Sequence, residues 1–217
     1  MKNSNTLIIN NGDIAGLAAL ATLDRLDRAI IWHPVFSDPA SLRRKIAIAE
    51  QTVHYGIEQI IKADFTSALP VETENTNSNS IHTTNAMQTL QDAGIVLFAA
   101  AEARKHRCGK LIWPTHGNQD YNYISEALER KILLNHIIDL NNEGLEKLTL
   151  DTPFLDLSDN EIVDIALRSD APIKTAWWCD HDGDKNCGGC DQCNRWRKAF
   201  DKAGMNNSIK DSQPLRV

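Results

Sequence analysis

No apolar stretch in the 217 residues is longer than the seven from Ile95 to Ala101. That is far short of the roughly 20 a membrane helix needs. Positive charge is scarce as well: 23 Lys and Arg stand against 29 Asp and Glu, a net charge of −6. Binding to phosphate backbones by counterion release needs a clustered positive field, so nucleic acid is not an expected partner. The opening Met1-Lys2-Asn3-Ser4-Asn5 runs directly into a short apolar segment without the small-residue site of a signal peptide. There is no internal repeat. These absences predict a soluble, cytoplasmic protein with no membrane contact. The length, with 42% hydrophobic and 24% charged residues, fits one globular domain.

Cysteines are few and badly placed for stapling. Of the five, Cys108 stands alone and the rest crowd into residues 179 to 193. A secreted disulfide protein spreads its cysteines to close loops. Here Cys179, Cys187, Cys190 and Cys193 form C-x7-C-x2-C-x2-C. Two intervening residues let a tight turn aim two thiolates at one ion, and Gly188-Gly189 supply the backbone freedom. Four thiolates close a tetrahedral shell, which makes the site structural and not catalytic. Zinc fits this spacing best. The alternatives are an iron–sulfur cluster, whose bacterial ferredoxin run continues as C-x3-C-P, and redox-active thiols. His181 is a substitute ligand only if the four cysteines do not fill the shell. Trp177, Trp178 and Trp196 flank the cluster; they are expected to pack it onto the main domain, the other reading being base stacking. Cys108 is expected to be a buried free thiol.

The remaining pattern predicts alternating strands and helices. Strands are expected at Thr6–Asn10, Ala29–Trp32, Ile57–Ala63, Lys110–Pro114 and Leu148–Leu150. Helices are expected from Gly16 to Arg25, from Asp38-Pro39 to Gly56, from Leu90 to His106, up to Asp139, and from Asp191 to Ala203. Ser158 and Glu161 have capping-box spacing ahead of another helix. Residues 70 to 85 are polar and read as a lid or a disordered loop, and the tail from Gly204 is polar too. The whole is an α/β chain with a doubly wound parallel sheet, Rossmann-like, comprising a core over 1–170, a cysteine segment over 171–203 and a tail over 204–217.

Together, Asp151-Thr152-Pro153 and Cys179…Cys187-Gly188-Gly189-Cys190-x-x-Cys193-Asn194 resemble the QueC (ExsB) family of 7-cyano-7-deazaguanine synthases. The resemblance implies an ATP-pyrophosphatase fold with a zinc site, and a homodimer. It also implies ATP-dependent conversion of 7-carboxy-7-deazaguanine to the nitrile with ammonia, on the way to queuosine. The family's nucleotide loop, Ser-Gly-Gly-x-Asp-Ser, falls here on Asn11-Gly12-Asp13-Ile14-Ala15-Gly16. Gly12 is kept. Asp13 puts a carboxylate where pyrophosphate would sit, and the family's Asp and Ser become Ala15 and Gly16. No Lys or Arg lies between Asn3 and Asp24 to compensate. The family's Gly-Arg-Asn falls on Asp92-Ala93-Gly94, without its arginine. No Walker A loop or complete G-x-G-x-x-G takes over.

These losses leave ATP and magnesium unexpected as cofactors, while zinc remains expected. The turn Asn11, Gly12, Asp13 and Gly16 still joins a strand to a helix, the usual edge for a ligand crevice. The loop with Thr115, His116 and Asp120 should open at the same edge, where His116 and Asp120 could orient a purine or move a proton. Three functions stay open. One is a catalytically silent relative binding a purine-like molecule or a protein partner. Another is an active ligase of the family type, and the third is a nucleic-acid adaptor using the knuckle.

Overall fold

The computed structural model describes residues 4–66, 81–140 and 146–205. In chain order the elements are β1 (Asn5–Ile9), α1 (Ile14–Ala21), β2 (Ala29–Val35), α2 (Ser41–Tyr55), β3 (Gln59–Asp64) and α3 (Ile81–Lys105). They continue with β4 (Cys108–Ile112), α4 (Tyr121–Asp139), β5 (Thr149–Asp151), α5 (Asp159–Arg168) and α6 (Asp191–Lys202). The five strands form one parallel sheet in the order β3-β2-β1-β4-β5.

Both sheet faces are covered, which is why β1 and β2 read as unbroken apolar runs. Ile8, Ile31 and Ile112 point to the face carrying α1, α2, α5 and α6. Leu7, Ile9, Ile30, Trp32 and Leu111 point to the other face, against Val96, Ala99 and Ala103 of α3 and Leu134 and Ile138 of α4. Seven of the eight α1 residues are buried. Its alanines and Gly16 let it lie close both to the sheet and to α5. The doubly wound expectation therefore holds. No described helix is long and apolar enough to cross a membrane.

Several boundaries differ from those the sequence predicts. Asp38 does not cap α2: its Oδ1 accepts from the Ala40 N–H at 2.9 Å and its Oδ2 pairs with Arg44, so the helix starts at Ser41. Its end at Gly56, with φ of 63°, is as expected. Helix α3 begins at Ile81, nine residues before Leu90, because its first turns are polar and carry no apolar period. The polar stretch predicted over 70–85 thus lies outside the described residues as far as 80, and its last five residues open α3. The predicted tail lies outside them from residue 206.

The order in which strands are laid down reverses between β1 and β4, which lie side by side and parallel. In such sheets the ligand crevice opens at that reversal, beyond the carboxyl ends of the strands.

Candidate metal centre and ligand crevice

The four cysteines converge. All their Sγ atoms lie within 4.8 Å of one another, with Cys179–Cys190 and Cys187–Cys193 each at 3.9 Å. A tetrahedral ion with metal–sulfur bonds of about 2.3 Å would set its sulfurs about 3.8 Å apart. Backbone N–H groups point inward: those of His181 and Cys187 donate to Cys179, those of Gly189 and Cys190 to Cys187, and that of Cys193 to Cys190, at 3.4 to 3.5 Å. The bonds from Gly189 and Cys190 lower the Cys187 thiol to about 6, whereas burial pushes Cys179 and Cys193 up. Gly188 takes φ of 74°, the left-handed turn its sequence anticipates. His181 Nδ1 stays 3.8 Å from the Cys187 sulfur, a hydrogen-bond contact. Cys108 is buried, and burial raises its thiol to about 11.

The knuckle is anchored as the tryptophans suggest. Trp177, Trp178 and Trp196 are buried in the same apolar cluster as α1, with Trp178 packed on Phe200. From α2, Arg43 reaches Asp182 and Asp184 at 3.3 and 2.8 Å and lies 5.7 Å from the Trp177 ring. The Trp177 N–H donates to the Gly12 carbonyl at 2.8 Å, tying the knuckle to the turn after β1.

That turn is filled by its own side chains. Asn10, fully buried, accepts from the Gly12 N–H at 2.8 Å and donates to Gln51 at 2.9 Å. The Asp13 carboxylate caps α1 and accepts from the Gly16 N–H at 2.7 Å. Gly12 has φ of 76°. A Cβ on Gly16 would stand 2.1 Å from Asn10 Oδ1, so glycine here makes room for the asparagine and not for a phosphate. His33, at the end of β2, is buried and kept neutral by that burial, its Nδ1–H donating to the Asn10 carbonyl at 3.0 Å. The N–H groups that an anion loop would offer at Gly12 and Gly16 are therefore already bonded.

The second half of the crevice follows β4. Thr115 shares a hydrogen bond with Tyr123 at 2.7 Å. Asp120 caps α4, accepting from the N–H groups of Asn122 and Tyr123. His116 is joined not to Asp120 but to Asp159, with Nε2 and Oδ1 2.9 Å apart. Arg195 of α6 also grips Asp159, at 2.7 and 2.6 Å, and its NH2 group lies 2.9 Å from His116 Nε2. Of the two groups at Nε2 the Asp159 carboxylate alone can accept, and a proton on Nε2 makes that bond. Burial alone would raise the Asp159 carboxyl, but the bonds from His116 and Arg195 outweigh it and hold it at about 2. The Asp13 charge acts on Arg195 as well, which brings the two halves together electrostatically.

Sequence reasoning missed Asp159, Arg195, Asn10 and Gln51. Asp159 was visible only as filler inside a capping box, which does form at Ser158 and Glu161. Arg195 lay two residues beyond the last cysteine. Their convergence is tertiary, since 36 residues separate Asp159 from Arg195 and 43 separate it from His116.

Comparison with known proteins agrees with this architecture. The family model described as "Queuosine biosynthesis protein QueC" matches residues 40–204. A 7-cyano-7-deazaguanine synthase of Campylobacter jejuni subsp. doylei is 36% identical over 72 residues, covering 32% of this chain and 32% of that protein. One from Methanosarcina mazei is 23% identical over 216 residues, covering 90% of this chain and 92% of that protein. Among solved structures, NMN synthetase from Francisella tularensis has a TM-score of 0.50 at 10% identity, covering 96% of this chain and 81% of that one, a likeness of fold. With its parallel sheet, its four-cysteine knuckle and a family match over well more than half its length, the chain belongs to the QueC family.

Proposed function

We propose that this QueC-family chain is a catalytically silent relative that binds a purine-like base in the crevice between β1 and β4, with no phosphate at the turn after β1. The observation that carries the reading is the filled turn. Asn10 and Asp13 take the N–H groups of Gly12 and Gly16, and a fixed carboxylate faces the place a pyrophosphate would need. Anion binding at such a turn depends on free N–H donors and a positive field, and both are spent. The family match, which starts at residue 40, does not include this turn. A base without phosphates makes no such demand.

The knuckle is read as a structural zinc site. Sulfur separations of 3.9 Å suit one tetrahedral ion and are too tight to enclose a multi-iron cluster. Zinc there would organise the loop from Cys179 to Cys193 and leave no open coordination position.

Calorimetric titration of the metal-loaded protein with Mg-ATP tests the reading. No magnesium-dependent binding up to millimolar ATP is expected. Micromolar binding that requires magnesium would overturn it in favour of an active ATP-dependent ligase acting on 7-carboxy-7-deazaguanine. That second reading draws on the similarity to the Methanosarcina synthase over 90% of the chain.

A further inference from the structure

A cleft of about 330 Å³ opens between α6 and the first turn of α5, next to the His116–Asp159–Arg195 cluster. Residues 191, 194, 195, 198 and 202 of α6 line one side, an arrangement that follows from 3.6 residues per turn. Asn118 and Asn160 line the other. Nearly every lining group is polar, so an apolar guest would gain little here.

The charges are unevenly committed. Arg195 is spent on Asp159. Lys198 and Lys202 have no carboxylate within ion-pair distance among the described residues, and Asp191 is the one other acid of the cleft. Two ammonium groups four residues apart on a helix repel each other, a cost that a bound dianion would turn into attraction. The helix C-terminus favours Lys202 by its dipole but gives no reason for Lys198 beside it. Across the cleft, Asn118 and Gln119 hold φ of 46° and 66°. Left-handed backbone at two successive non-glycine residues is strained, and such strain gathers at ligand sites. It sets Asn118 so that its Oδ1 accepts from the Asp159 N–H at 3.1 Å, leaving its amide nitrogen to donate elsewhere.

We propose that this cleft holds the phosphate of a purine nucleotide, a phosphate monoester bound by Lys198 and Lys202 with the Asn118 and Asn160 amides on its oxygens or its sugar hydroxyls. The phosphate site has in effect moved from the filled turn after β1 to α6. The inference rests on the reading that the crevice takes a purine-like base, with Arg195 of the cleft wall reaching His116 in the loop after β4. Lysine suits the task because it acts as a point charge without demanding bidentate geometry.

The test titrates the metal-loaded chain with guanosine, guanosine 5′-monophosphate, ribose 5-phosphate and inorganic phosphate. The same titrations are repeated on Lys198→Gln/Lys202→Gln, whose melting curve is checked first. The monophosphate should bind at least tenfold more tightly than guanosine, and the double variant should erase that advantage without changing guanosine binding. Equal binding of guanosine and its monophosphate overturns the inference and leaves the base reading standing. Binding of ribose 5-phosphate alone, lost in the variant, upholds the phosphate site and sinks the base reading. Inorganic phosphate binding as tightly as ribose 5-phosphate overturns the nucleotide assignment, and so does a variant that binds every phosphate probe like the parent.

Discussion

Trp177, two residues before the knuckle that runs from Cys179 to Cys193, ties it to the turn from Asn11 to Gly16 through its backbone N–H, which donates to the Gly12 carbonyl. Knuckle and turn use the same raw material in opposite ways. In the knuckle, five backbone N–H groups point inward at sulfur, and such bonds favour the thiolate form. In the turn, the N–H groups point at the chain's own Asn10 and Asp13, and the centre is occupied by protein. A phosphate loop can be retired in this way with little change of backbone path, because side chains satisfy the donors and the strand-to-helix geometry survives. A polar metal loop has no such substitute. Apart from Cys179 and Cys193, the segment from 179 to 193 contributes no residue to the buried core, so on the proposed reading a metal on the four sulfurs would supply the order.

The largest expected effect follows directly. Cys190→Ser removes one of four sulfurs, while the serine hydroxyl still accepts from the Cys193 N–H as a helix cap. Structural zinc contributes about 10–16 kcal/mol of apparent binding free energy in finger peptides. The variant should therefore lose stoichiometric metal and unfold its C-terminal segment well below the parent's melting temperature, with the sheet persisting. Metal analysis and calorimetry together decide it. Retained metal with an unchanged melting curve would refute the assignment and erase the contrast with the turn.

A smaller effect concerns the other half of the crevice, which is charged where the turn is filled. Asp159 is depressed to about 2 in the folded protein. Its stabilisation is thus present above the unfolded value near 4 and is lost as pH falls through the window from about 4 to about 2, amounting to about 2 kcal/mol. Asp159→Asn should flatten stability across that window and lower it at neutral pH. Urea melts at stepped pH measure this. An unchanged acid slope in the variant would mean that His116 and Arg195 do not hold the carboxylate in solution.

How much of this was legible in the sequence depends on the range of the interaction. The cysteine cluster was visible, since four cysteines within 15 residues at this spacing are easily brought together, and their sulfurs do converge. The sheet was visible because apolar runs such as Leu7–Ile9 and Ala29–Trp32 have no alternative burial. The start of α3 was not, since polar first turns carry no period. The departure of Asn11–Gly16 from the family's residue types was legible, but not how the turn is filled. Nothing local says that Asn10, the last residue before the turn, folds back onto Gly12, or that Gln51 from α2 holds it there. His116 was singled out with Asp120 as companion because the two are near in sequence. The structure gives Asp120 to the start of α4 and brings Asp159 from another helix.

The smallest expected effect is the most pointed. Asp13→Gly restores the family's second glycine and removes the helix cap. Glycine is nearly as good an N-cap as aspartate, so the cost should be a few tenths of a kcal/mol. For a chain of this size that shifts the melting temperature by only about 1 °C. The substitution frees the Gly16 N–H and removes the fixed charge, but the Gly12 N–H stays on Asn10, and Asn10 stays pressed against Gly16 by its bond to Gln51. Mg-ATP should accordingly still fail to bind at millimolar concentration. Micromolar binding in this one variant would mean that a single carboxylate, and not the buried Asn10 plug, closes the turn. The two regions would then differ by one residue's charge and not by how their backbone donors are spent.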